Sequence, residues 1–374
     1  MAACIASSAI RTCLGNGAET FQALINGISG VAALRHFDAT PFNVTHAYQI
    51  PDEGRERWFN PSCWLAECVR SALSESGVSA ARQRVAVIVG TGLRELRSAE
   101  RAALEDCEVS TDRLHFEGAV RAACPDVAEV ITLSNACSAG GHALALAQDL
   151  IESGEADAAV AASTDGLTAS MLAMIGRFAS SPTPQVRPFD RERTGALLGE
   201  GAAALVVVPD GSGPRCLARL VSTGLSCDAV HETVPDADGV FRAVEEAFAR
   251  GRRQPSDVDL VVAHGTGTIL NDPNEARLLR REFEPAADCP PITAIKGAIG
   301  HTSGSAALMS VDVAIRCLDT GVVPPIVGLR QRLAEGEGLP FVTGSSISRR
   351  ARLAQINAFG FGGVNAVTLV EAAT

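Results

Sequence analysis

Three glycine-bearing motifs occur twice in this chain in the same order, and that duplication restricts the possible folds more than any single segment does. Val85-Ala-Val-Ile-Val-Gly-Thr-Gly92 resembles Leu260-Val-Val-Ala-His-Gly-Thr-Gly267. Cys137-Ser-Ala-Gly-Gly-His-Ala-Leu resembles His301-Thr-Ser-Gly-Ser-Ala-Ala-Leu, and Gly199-Glu-Gly-Ala-Ala-Ala-Leu-Val-Val-Val208 resembles Gly360-Phe-Gly-Gly-Val-Asn-Ala-Val-Thr-Leu369. The paired motifs stand 175, 164 and 161 residues apart. Ordered matches of this kind mark two homologous halves. Each half alternates apolar strand-like runs with helical patterns, which predicts α/β layers with mixed sheets. The Gly- and Pro-rich stretch Pro209 to Pro214 is the natural junction between a first half, residues 1–210, and a second, residues 211–374.

The chain is long enough for either two domains or one large one, with 374 residues, 47% of them hydrophobic and 20% charged. A net charge of -11 offers no overall basic footprint for nucleic acid or an anionic membrane. There is no cationic-then-apolar leader and no apolar run near 18 residues, so a cytoplasmic protein is expected. Eleven cysteines are spread from Cys4 to Cys317 without a zinc-like spacing, and reduced thiols are the expectation. The 32 basic side chains comprise 31 arginines and one lysine, Lys296. A lone lysine in an arginine-rich chain suggests a position that needs a compact ammonium.

Residues 1–60 read as irregular, with a short helix near Leu24 to Ile28 and an exposed charged run from Asp52 to Arg57. Helical periodicity covers Pro61 to Ser76, an apolar strand covers Arg84 to Val89, and Arg94 to Ala123 reads as surface helix and loop. Val127 to Leu133 then reads as a buried strand, and Ala143 to Ile151 has the period of a packed helix. Cys137 falls between them, at a helix start. There the unpaired backbone N–H groups favour a thiolate, and the small neighbours Ala136, Ser138, Ala139, Gly140 and Gly141 leave room for a substrate. In the repeat register His301 stands opposite Cys137, and His264 lies where the first half has a strand end. A pseudo-twofold would bring the cysteine and both histidines into one pocket.

These motifs resemble those of the β-ketoacyl-acyl carrier protein synthases, thiolase-superfamily enzymes with a Cys-His-His set. The resemblance rests on Asn135-Ala-Cys-Ser-Ala139, Arg187-Pro-Phe-Asp190 with Gly199-Glu-Gly-Ala202, His264-Gly-Thr-Gly-Thr268 with Asp272 and Glu275, Lys296 to Thr302, and Asn357-Ala-Phe-Gly-Phe-Gly-Gly363. It implies a thiolase-like αβαβα layered fold, made of two homologous halves with mixed five-stranded sheets, and usually a homodimer. It also implies an acyl-Cys137 intermediate without metal or redox or organic cofactor, the substrate arriving on the phosphopantetheine arm of an acyl carrier protein. By the same resemblance His264 and His301 hydrogen-bond a malonyl thioester carbonyl, Lys296 supports His301, and Glu275 pairs with the lysine. The backbone N–H groups of Cys137 and Phe361 form the oxyanion hole, in a loop freed by Gly360, Gly362 and Gly363, with Phe361 also gating the acyl pocket. Thr266 and Thr268 bind pantetheine. His36, His46, His115, His142 and His231 have no motif context and read as structural or surface residues.

The chain departs from the family pattern in two places, since residues 92–130 and 178–187 are shortened, which bears on acyl-pocket size. Three functions compete. One is a ketosynthase performing decarboxylative Claisen condensation in fatty acid or specialised polyketide biosynthesis. The others are a ketosynthase-like acyltransferase or hydrolase using the same acyl-cysteine, and a chain-length-factor-like partner in a heterodimer. Cys137, both histidines and Lys296 together favour the first.

Overall fold

A computed structural model describes residues 2–52, 57–178, 182–213, 215–283 and 289–373. Parts of the charged 52–57 run and of the shortened 178–187 segment, together with Pro214, lie outside these. Ten strands stand in line in one mixed sheet, with the two-residue strand Gly15–Asn16 attached to its first member. In chain order they are β1 (Ala3–Thr12), β2 (Val85–Gly90), β3 (Glu129–Leu133), β4 (Ala158–Asp165), β5 (Gly201–Pro209), β6 (Ala218–Cys227), β7 (Leu260–Val262), β8 (Ile292–Thr293), β9 (Leu353–Phe359) and β10 (Val364–Ala372).

The order β1-β5-β4-β2-β3 in the first half is repeated as β6-β10-β9-β7-β8 in the second, with identical strand directions. β2 lies parallel to β3 and β4 while β5 runs antiparallel to β4 and β1. β7 likewise lies parallel to β8 and β9, and β10 antiparallel to β9 and β6. Each half is thus a mixed five-stranded sheet, as expected. The two sheets are not separate: β1 and β6 pair antiparallel through Ala3–Leu220, Cys4–Arg219 and Ile5–Ala218. β1 comes from the stretch read as irregular, and it is in fact a central strand. The helix in this region runs Gly17–Ile25 rather than near Leu24 to Ile28, and is capped by Asn16, whose side chain accepts from the amides of Ala18 and Glu19.

Helices complete the layers. α1 (Asn60–Ser76) covers the outer face of the first sheet, starting with Pro61 in its first turn and ending at Gly77, φ +72°. α2 (Ala139–Ser153) and α5 (Ala306–Thr320) pack on each other and on strands of both sheets, forming the middle layer. α3 (Ala237–Gly251) covers the outer face of the second sheet, with α4 (Asn271–Phe283) beside it. Three apolar cores follow. In β2, Ala86 and Ile88 face the middle layer while Val85, Val87 and Val89 face Trp64, Leu65 and Val69 of α1. That period-two alternation with both faces covered explains why the strand reads as a continuous apolar run.

Cys4 and Cys216 form a disulfide, Cα–Cα 5.8 Å, against the expectation that all the thiols are reduced. The cause is topological: the β1–β6 joint brings together cysteines 212 residues apart. Among the described residues no helix is long and apolar enough to cross a membrane.

Candidate active site

Cys137 sits in a single 3₁₀ turn, Ala136–Ser138, between β3 and α2, and is 8% exposed. Ala136 holds a left-handed backbone, φ +49°, a sparsely populated conformation that persists only where its surroundings enforce it. The second half repeats this turn at Ser303–Ser305, with Ser303 also at φ +49° and α5 following. The structural counterpart of Cys137 is therefore Gly304, and His301 stands three residues earlier. This corrects the expected register, in which His301 matched Cys137. The two turns pack against each other, so the expected meeting of the halves at this point occurs.

His264 and His301 lie edge to face, ring centroids 5.5 Å apart at 86°. His264 follows β7 and His301 follows the short Lys296–Ile299 helix, both at the ends of buried elements. Their hydrogen bonds fix their protons. Lys296, 1% exposed, donates from Nζ to Nδ1 of His264 at 3.2 Å and also to the His264 carbonyl oxygen. An ammonium has only donors, so Nδ1 accepts and Nε2 carries the hydrogen. Ser303 donates its backbone N–H to Nδ1 of His301 at 3.3 Å, with the same consequence. Both rings present an Nε2–H donor. Burial holds both histidines neutral, His301 down to about 3 and His264 well below its ordinary value, with the Lys296 charge adding to each effect.

Lys296 supports His264 rather than His301, and Glu275 does not bond the lysine directly. Glu275 accepts the backbone N–H groups of His264 at 2.7 Å and Gly265 at 2.8 Å, together with Nδ2 of Asn357 at 3.2 Å. It fixes the backbone that carries the histidine and acts on the lysine only through charge. Burial brings Lys296 down to about 8, with Glu275 foremost among the charges that oppose the shift.

The thiol departs from expectation. Burial pushes Cys137 up to about 11, although Lys296 and the Phe361 amide pull it back down. Removal from water outweighs the helix end, so the resting group is a thiol. The backbone amides of Phe361 and of Cys137 itself, the two expected oxyanion donors, both act to lower the thiol's value. Gly360 donates to Val364, Gly362 has φ +82°, and the Phe361 side chain is 42% exposed. At Gly363, a Cβ would overlap the Asp228 carboxylate, so only glycine fits.

Thr266 and Thr268 share a hydroxyl hydrogen bond of 2.9 Å, and buried Asp272 takes the amides of Thr266 and Gly267 at 3.0 and 3.1 Å. Sequence reasoning assigned no role to Asp272, or to Asp165, whose buried carboxylate ties loop 91–93 to Gly304. A signal existed for Asp165: it is the polar end of a strand otherwise made of small residues, where sites of α/β proteins gather. None existed for the strained backbone of Ala136.

Residues 45–210 match the family described as Beta-ketoacyl synthase, N-terminal domain, and residues 217–330 match Beta-ketoacyl synthase, C-terminal domain. The chain is 29% identical to 3-oxoacyl-[acyl-carrier-protein] synthase 2 of Coxiella burnetii, over 96% of this chain and 95% of that protein. It is 28% identical to the actinorhodin polyketide putative beta-ketoacyl synthase 1 of Streptomyces coelicolor, covering 96% and 86%. Nodulation protein E of Rhizobium meliloti is 33% identical over 64% of this chain and 60% of its own length. Among solved structures, the ishigamide ketosynthase/chain length factor superposes with a TM-score of 0.88 at 26% identity, covering 100% of this chain and 99% of that one. A type II polyketide ketosynthase in complex with its acyl-carrier protein shares the fold, with a TM-score of 0.89 at 20% identity and coverage of 100% and 99%.

Proposed function

Because the chain belongs to the β-ketoacyl synthase family, we propose that it condenses an acyl group held on Cys137 with a malonyl group delivered by an acyl carrier protein. The observation that carries this reading is the pair of Nε2–H donors on His264 and His301, two neutral imidazoles packed edge to face, with the Cys137 thiol within reach of the Lys296 charge that supports His264. An acyltransferase needs the thiol and an oxyanion hole. Two further donors suit a second oxyanion, the enolate left when a malonyl thioester loses CO2.

The steps follow from the residues. Cys137 attacks the acyl thioester, its carbon–sulfur bond to pantetheine breaks, and the thiol proton leaves on the departing pantetheine sulfur. The Cys137 and Phe361 amides hold the oxyanion that forms on the way. The malonyl thioester then binds with its carbonyl oxygen on the two histidines, and the carboxylate leaves as CO2. The resulting carbanion attacks the acyl carbon, and Cys137 departs, regaining a proton from solvent. No step calls on a metal or an organic cofactor. Thr266 and Thr268, beside His264, suit the amide-bearing pantetheine arm.

The partners belong to the same reading. β3 is the edge of the sheet, and its residues after Glu129 are only half buried although β2 beside it is fully buried. An edge strand with an unpaired backbone ladder suits pairing with a second subunit, either another copy or a related chain. Incubation with an acyl carrier thioester and then malonyl carrier protein tests the function. Condensation yields CO2 and a β-ketoacyl carrier in equal amounts. Acyl label on Cys137 without CO2 would establish the acyltransferase instead.

A further inference from the structure

We propose that Asp165 is a positioning residue that sets His301 through the Gly304 amide, an inference that rests on the condensation reading above. Asp165 ends β4 and is fully buried. Its carboxylate accepts from the Thr91 hydroxyl at 2.7 Å, from the Gly92 and Leu93 amides at 2.9 and 2.8 Å, and from the Gly304 amide at 2.7 Å. Among the described residues no arginine or lysine forms an ion pair with it. Three of these donors belong to the first half and one to the second, so a single carboxylate joins the halves where their two turns meet.

The second-half donor lies next to the catalytic ring. Ser303, whose N–H fixes the His301 tautomer, is the residue before Gly304 and holds the left-handed conformation. Such a conformation persists only where its surroundings enforce it. Here one side is enforced by the Asp165 bond to Gly304. The other is enforced by contact, since a Cβ on Gly304 would stand 2.8 Å from the Gly92 nitrogen and the Thr91 backbone. If the carboxylate is replaced, the turn loses its anchor, and with it the orientation of the Ser303 N–H toward Nδ1.

Asp165→Asn keeps the size but sets an NH2 group against N–H donors. Asp165→Glu keeps the charge on a longer stem. For the purified wild type and both variants, two half-reactions are followed: acyl transfer to Cys137 from an acyl carrier thioester, by intact mass, and CO2 release from malonyl carrier protein. In D165N the maximal rate of CO2 release should fall on the order of 10²-fold, the loss that follows removal of one oxyanion donor. The acyl-transfer rate should change less than about fivefold, because His301 takes no part in that half-reaction. D165E should fall between, and it carries the same test if D165N does not fold, because the readout is the split between half-reactions. Iodoacetamide should alkylate Cys137 faster in D165N, since the negative charge that disfavours the thiolate is gone. Equal loss of both half-reactions, or loss of neither, overturns the positioning role. A wild type that takes acyl label but releases no CO2 overturns the condensation reading as well.

Discussion

The Lys296 ammonium lies 3.2 Å from Nδ1 of His264, so the only lysine in the chain dictates which nitrogen of that buried imidazole carries the hydrogen. Burial brings that lysine to about 8, and its charge is lost as pH rises through that value. CO2 release from malonyl carrier protein should therefore decline above about pH 8. Glu282, pushed up to about 8 by burial, titrates in the same window. A pH profile of Glu282→Gln separates them, because a limb retained in that variant belongs to Lys296.

Stability should fall on the acid side for a different reason. His301 stays neutral in the folded protein down to about 3, whereas the unfolded chain takes up its proton near 6.5. A group with a depressed folded value and a neutral folded form favours unfolding once pH drops below the unfolded value. Denaturation midpoints should decrease from pH 6.5 towards pH 4, and His301→Asn should lessen that slope.

Removing either donor should separate the two half-reactions. His264→Ala and His301→Ala should each slow CO2 release by about 10² to 10³-fold, while acyl transfer to Cys137 continues. Stopped assays of CO2 and of the acyl adduct on the same preparations measure both.

Gly90→Ala tests the seating of the helix that follows Cys137. An added Cβ would stand 2.4 Å from the Ala139 carbonyl oxygen and 2.8 Å from the Gly140 nitrogen, both backbone atoms of α2. The helix must shift, at a cost of about 1–3 kcal/mol. Urea titration should show that loss, and acylation of Cys137 should slow with it.

The disulfide should be visible by mass. Alkylation of the denatured, unreduced protein should miss Cys4 and Cys216, and prior reduction should expose both. Cys4→Ala should lower stability, because the cross-link spans a sequence separation of 212 residues and restricts the unfolded chain.

The sequence made the strand β2 and the helix α2 legible because their patterns are local and their faces are covered, whereas β3, read as a buried strand, is only half buried because it ends the sheet. The duplicated motifs likewise showed the two halves, whose strand orders repeat. The candidate site residues were legible through the motifs that resemble those of the β-ketoacyl synthases, and His264, His301, Lys296 and Glu275 do lie together in the buried interior. Three things were not. The Cys137 register slipped by three residues because Cys137 and His301 both precede Ala-rich helices, and only the matching φ of Ala136 and Ser303 fixes the alignment. The place of Ala3–Thr12 at the joint of the sheets depends on pairing with strands some 200 residues away. The raised pKa of Cys137 depends on how deeply tertiary packing buries a helix start that looked open.

The central claim is that Cys137 carries the acyl group that is extended. Its most direct test is intact and peptide mass spectrometry of the wild type and Cys137→Ala after incubation with an acyl carrier thioester, before and after adding malonyl carrier protein. One acyl mass should appear on the peptide containing Cys137, be absent from the variant, and disappear when malonyl carrier is added as a β-ketoacyl carrier forms. An adduct that forms on Cys137→Ala, or one on the wild type that malonyl carrier leaves in place, would contradict it.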